Sequence, residues 1–128
     1  MGTILIIEDD VVLRQALQSF FVKKGYTILI APEGRTGLAV CNKTHIDIVI
    51  TDIVMPEMEG LEIIITIRKK NPGIKIIAMS GGGQIGPEDY LEMAKKLGAD
   101  RVLTKPIDFK TIYDTVENLM SNSNSPQG

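Results

Sequence analysis

Ile46-Asp47-Ile48-Val49-Ile50-Thr51-Asp52, residues 46–52, is a nearly continuous apolar run that stops on a carboxylate. It is short, β-branched and followed by Met55-Pro56 and Gly60, which turn the chain. That is the pattern of a strand buried on both faces. Three further runs end in polar groups in the same way. Ile4–Ile7 is followed by Glu8-Asp9-Asp10, Ile76–Met79 by Ser80, and Val102-Leu103, one threonine on, by Lys105-Pro106. If these strands are parallel, all those groups meet at one edge of one sheet.

Working outward, the chain alternates strand and helix five times. After the first strand, Leu13, Ala16, Leu17, Phe20 and Phe21 share a helical face, with Asp10 as N-cap and Lys24-Gly25 as the stop. Thr27–Ile30 is the second strand, and Pro32 and Gly34 open a short helix through Leu38 and Cys41. The third helix is expected over Gly60–Lys70, halted by Asn71-Pro72. Lys75–Met79 is the fourth strand. Pro87 suits the first turn of a helix that ends at Leu97-Gly98. Arg101–Thr104 is the fifth strand, and Asp108 caps a last helix with the stripe Ile112, Val116, Leu119. This pattern predicts an α/β fold: a doubly wound, five-stranded parallel sheet of order 2-1-3-4-5, flavodoxin-like (βα)5. One domain is expected over residues 1–120, with a disordered polar tail at 121–128. In that strand order the winding reverses between the first and third strands, so a ligand belongs outside their carboxyl ends. Glu8, Asp9 and Asp52 fall there.

Bulk properties exclude several function classes. The chain has 128 residues and a formal net charge of −2, so direct nucleic-acid binding is not expected. Its apolar runs are short and interrupted by charge, so membrane insertion is not expected either. No basic stretch and long apolar segment open the chain, and Gly2 lacks the downstream Ser/Thr of a myristoylation motif. The single cysteine, Cys41, permits no intrachain disulfide and suits a reducing cytoplasm; it reads as a packing residue on a helix. His45 reads as a loop histidine. Four isoleucines on the third helix, Ile63, Ile64, Ile65 and Ile67, exceed what one face needs and fit either core or a partner surface. Gly81-Gly82-Gly83-Gln84-Ile85-Gly86 matches a dinucleotide-binding pattern but follows the wrong strand for one, and reads as a flexible loop.

An acidic cluster, a hydroxyl and a lysine around one aspartate suit magnesium-dependent phosphoryl transfer to a carboxylate. Two adjacent carboxylates after a buried strand repel each other unless a cation holds them.

In its motifs the chain resembles the receiver domains of two-component response regulators, of the chemotaxis single-domain type. The matching pieces are residues 4–10, 51–60, Met79-Ser80, Gly98-Ala99-Asp100 and Lys105-Pro106, in order and with the expected spacing. The resemblance implies a phosphoacceptor switch, closer to a self-phosphorylating and self-dephosphorylating protein than to a turnover enzyme. Asp52 is then the phosphoacceptor. Asp9 and Asp52 are direct Mg2+ ligands, Glu8 acts mainly through bound water, and the Val54 backbone carbonyl adds an oxygen. Lys105 pairs with the phosphoryl group, Ser80 hydrogen-bonds it, and the Lys105–Pro106 peptide is cis. The implied partners are a histidine kinase or phosphotransfer protein upstream, and a downstream protein target or fused output domain. The chain departs from the family at Val102, where receivers often carry an aromatic switch. At the two positions that flank the attacking water in receivers it has Val54 and Gly82, neither able to orient a water, which implies a long-lived phosphoryl group. The alternative reading is a receiver-like interaction module, or the N-terminal domain of a longer regulator.

Overall fold

The computed structural model describes residues 2–53, 60–81, 92 and 94–124. Five strands, β1 (Thr3–Ile7), β2 (Thr27–Ala31), β3 (Ile48–Asp52), β4 (Lys75–Ser80) and β5 (Arg101–Thr104), form one sheet. All neighbouring pairs are parallel, in the order β2-β1-β3-β4-β5. The helices are α1 (Val11–Lys23), α2 (Gly34–Lys43), α3 (Gly60–Lys70), a short helical stretch α4 at 94–97, and α5 (Phe109–Asn124).

Strand residues alternate between two cores, as the period of two demands. Ile4 and Ile6 pack with Leu17 and Phe21 of α1 and with Ile112, Val116 and Leu119 of α5. Leu5 and Ile7 face the other way, onto Cys41 of α2 and Ile63, Ile64 and Ile67 of α3. Three of the four α3 isoleucines are therefore core, and only Ile65 is exposed, at 38%. The isoleucine excess is mostly the face that α3 packs against Leu5 and Ile7 of the sheet. No helix among the described residues is long and apolar enough to cross a membrane.

Position explains the glycines at 37 and 98. A Cβ on Gly37 would meet Ile7 Cδ1 at 2.4 Å, so α2 can lie this close to β1 only without a side chain there. Gly98 takes φ +127°, which L side chains rarely adopt, and its space is filled by Arg68. The Arg68 guanidinium donates to the carbonyls of Gly98, Pro72 and Ile74 and pairs with Asp100 at 2.8 Å, tying the end of α3 to the corner before β5.

Several boundaries differ from the expected ones. β3 begins two residues later than the apolar run and includes Asp52 itself, because Ile53 N–H continues the ladder to the Met79 carbonyl at 3.0 Å. β2 and β4 each gain a residue, ending at Ala31 and Ser80. α5 runs to Asn124, past the expected end of the domain at 120; a helix already nucleated adds polar residues at its exposed end at little cost. The expected start of the fourth helix at Pro87, the turn at Met55-Pro56 and the glycine loop beyond Gly81 lie outside the described residues.

Candidate functional site

The register places the carboxyl ends of four strands side by side. Ile7 pairs with Thr51, Asp52 with Met79, and Ser80 with Thr104. Glu8 is fixed just past β1 by its amide, which donates to the Ala31 carbonyl at 3.1 Å. Asp10 caps α1: its carboxylate accepts from the amides of Val12 and Leu13, at 2.9 and 3.3 Å. Lys105 is anchored past β5 through its amide, which donates to the Ser80 carbonyl at 2.8 Å. The peptide between Lys105 and Pro106 is cis.

These anchors bring the expected side chains together. Glu8 is fully buried and Asp52 nearly so, at 5% exposure. The Lys105 ammonium lies between them, donating to Glu8 Oε1 at 2.8 Å and to Asp52 Oδ2 at 2.9 Å. The second Glu8 oxygen, Oε2, accepts from the Asp10 amide at 3.1 Å. Asp9 is exposed, and carboxylate oxygens of Glu8, Asp9 and Asp52 all lie within 4.8 Å of one another. Ser80 is fully buried, and its hydroxyl reaches the Gly81 carbonyl at 3.5 Å, the outer limit of a hydrogen bond. Val54 and Gly82 lie outside the described residues.

The electrostatics follow from burial. Desolvation pushes the Glu8 carboxyl above its ordinary value, against the Lys105 hydrogen bond and the Asp10 amide, and the nearby Asp52 charge adds to the rise. Burial alone would lower the Lys105 ammonium, but its pairing with Glu8 and Asp52 outweighs that and holds it above its ordinary value. Three clustered carboxylates sharing one ammonium repel one another. The donor set is all hard oxygen, with one carboxylate open to water, which suits a divalent cation such as magnesium that keeps part of its hydration shell.

The other sequence candidates are elsewhere. His45 is 86% exposed and pairs with Asp47 at 3.1 Å, beside a cleft of about 550 Å³ at the amino edge of the sheet. That cleft lies at the opposite edge from the acidic cluster. Cys41 is buried in the α2 core, which raises its thiol. Val102 is half-buried against the α2–α3 core. Two features were missed in the sequence. One is the direct Glu8–Lys105 ion pair, between residues 97 apart in the chain. The other is Arg14, whose Nη1 donates to the Glu8 carbonyl at 2.8 Å. The available signal for Arg14 was its place one helical turn after Asp10.

Comparisons with known proteins agree with this fold. A family model for the response regulator receiver domain matches residues 4–117. Sporulation initiation phosphotransferase F of Bacillus subtilis (strain 168) is 32% identical over 117 residues, covering 91% of this chain and 92% of that protein. Transcriptional regulatory protein GlrR of Escherichia coli (strain K12) is 32% identical over 120 residues, but this chain spans only 26% of its length. The crystal structure of a response regulator receiver domain protein from Clostridium thermocellum superposes with a TM-score of 0.88 at 28% identity, covering 95% of this chain and 96% of that one. With the strand order, the acidic cluster and its lysine in place, the chain belongs to the response regulator receiver domain family of two-component systems.

Proposed function

We propose that this receiver is a phosphoacceptor switch, in which Asp52 takes a phosphoryl group from a phosphohistidine on a histidine kinase or phosphotransfer protein. The observation that carries this reading is the Lys105 ammonium held between two buried carboxylates, at 2.8 and 2.9 Å. Asp52 Oδ attacks phosphorus, the P–N bond to the imidazole breaks as the P–O bond forms, and the imidazole leaves as a neutral ring once its other nitrogen carries the proton. Lys105 already points at Asp52 and can follow the charge onto the phosphoryl oxygens. The Ser80 hydroxyl, on the neighbouring strand end, would donate to one of them.

Asp9 and Asp52 would hold Mg2+ directly, with the Val54 carbonyl as a further ligand. Both Glu8 oxygens already have protein donors, which suits a group that reaches the cation through water. When bound, the cation supplies neutralisation of the phosphoryl charge. The same chemistry, run with water as nucleophile, returns Asp52 to its carboxylate. The output is a protein contact, with a separate target or a fused output domain, in the cytoplasm. A second reading is the N-terminal domain of a longer regulator: this chain spans 26% of GlrR, but 92% of sporulation initiation phosphotransferase F.

The test is labelling with acetyl phosphate, with and without Mg2+. Wild type should form a hydroxylamine-sensitive acyl phosphate that maps to Asp52 and requires the metal. Asp52→Asn should not label while keeping its fold. Full labelling of Asp52→Asn would refute the assignment.

A further inference from the structure

Arg14 occupies the first turn of α1, where its own amide donates to the Asp10 carbonyl at 2.9 Å. Long side chains on a helix lean back toward its N-terminus, and this one turns toward the β1–α1 junction. Nη1 donates to the Glu8 carbonyl at 2.8 Å. Nε is buried without a hydrogen-bond partner among the described residues. A surface arginine ordinarily keeps its guanidinium in water, and a buried N–H without a partner is a cost. Arg14 accepts that cost to reach one backbone carbonyl.

That carbonyl belongs to the peptide joining Glu8 to Asp9. The turn is fixed at its start by the Glu8 amide on Ala31, and at its end by the Asp10 cap. Between these anchors, no side-chain hydrogen bond or ion pair among the described residues holds the exposed Asp9 carboxylate. The direction in which Asp9 offers its oxygen depends on its own rotamer and on the Glu8–Asp9 peptide, whose carbonyl accepts from Arg14, while the next amide, that of Asp10, donates to Glu8 Oε2 at 3.1 Å. We infer that Arg14 is a positioning residue for the Glu8–Asp9–Asp52 cluster, holding the Asp9 carboxylate in place to bind a divalent cation. The inference rests on the reading of that cluster as a cation site.

Charge and positioning predict opposite signs, which makes the idea testable. A guanidinium this near the cluster repels a divalent cation, so by Coulomb's law alone its removal tightens Mg2+ binding. If Arg14 orients Asp9, its removal weakens binding. The experiment is a Mg2+ titration followed by amide NMR shifts, on wild type, Arg14→Met, Arg14→Lys and Asp9→Ala, with melting temperatures in EDTA alongside. Loss of an outer-shell orienting group typically weakens a metal site by about 10–100-fold, and Arg14→Met should fall at roughly the 10-fold end. Arg14→Lys returns one donor to the carbonyl without the rigid fork and should be weakened less; it carries the test if Arg14→Met does not fold. A lower melting temperature in EDTA with unchanged Mg2+ affinity would show a merely structural arginine and overturn the inference, as would tighter binding. If wild type shows no saturable Mg2+ binding, or Asp9→Ala binds as wild type does, the cation reading itself fails, and the role of Arg14 falls with it.

Discussion

Lys105 donates to two carboxylates at once, those of the buried Glu8 and Asp52. Removing the ammonium leaves like charges facing each other in a poorly solvated place. Breaking a fully buried pair costs about 3–5 kcal/mol. Lys105 keeps 22% of its side chain exposed, so Lys105→Met should lose less, about 2 kcal/mol in chelator, read from the urea midpoint. Asp52→Asn removes one of the repelling charges and leaves Lys105 its bond to Glu8. It should therefore unfold at no lower a urea concentration than wild type in the same chelator, although it cannot accept a phosphoryl group. A large destabilisation by Asp52→Asn would mean that the ion pair outweighs the repulsion, contrary to this account.

At the scale of elements, the join between β2 and α5 depends on a polar contact under the aromatic cluster. Tyr26, just before β2, donates its phenol to Glu117 of α5. Burial, then the Glu117 hydrogen bond and charge, hold the Tyr26 phenol well above its ordinary value of 10.0. The unfolded chain ionises this group near pH 10.0, whereas the folded chain keeps the proton to higher pH. The stability it contributes is fully present below pH 10.0 and is lost as pH rises through the folded value. Tyr26→Phe should lose about 1.5–3 kcal/mol at neutral pH, the range for hydrogen bonds to charged groups. It should also lack the wild type's decline in stability above pH 10.0. Paired alkaline melts check this, and identical slopes would detach the decline from Tyr26.

For the whole molecule, a ligand that binds only the folded state stabilises it by mass action, about 2.7 kcal/mol at a hundredfold excess over its dissociation constant. Magnesium should raise the melting temperature of wild type, and Asp9→Ala should abolish that shift while melting like wild type in EDTA. A shift that survives Asp9→Ala would place the cation elsewhere. The strand order matters here because it brings β1 and β3 together as neighbours. Without that reversal, the Asp9 and Asp52 carboxylates would not lie together.

The sequence by itself determined the class of fold, the strand order and the edge where the acidic cluster gathers. Its short all-apolar runs could be buried only in a covered parallel sheet, and each run ended on the polar residue that marks the carboxyl edge. The placing of Glu8, Asp9, Asp52, Ser80 and Lys105 at strand ends was legible for that reason, as were the Asp10 cap and the Gly25 stop. Tertiary structure alone decided the contacts among them. Nothing in the local pattern says that Glu8 and Lys105, far apart in the chain, form an ion pair, or that Arg14 turns back onto the Glu8 carbonyl. It also decided that Asp52 lies inside the ladder rather than beyond it, because strand ends are set by the neighbour's free carbonyl, here that of Met79. Local sequence fixes periodicity and caps through short-range sterics and hydrogen bonds. Which charges meet depends on burial and register, which exist only once the sheet has closed.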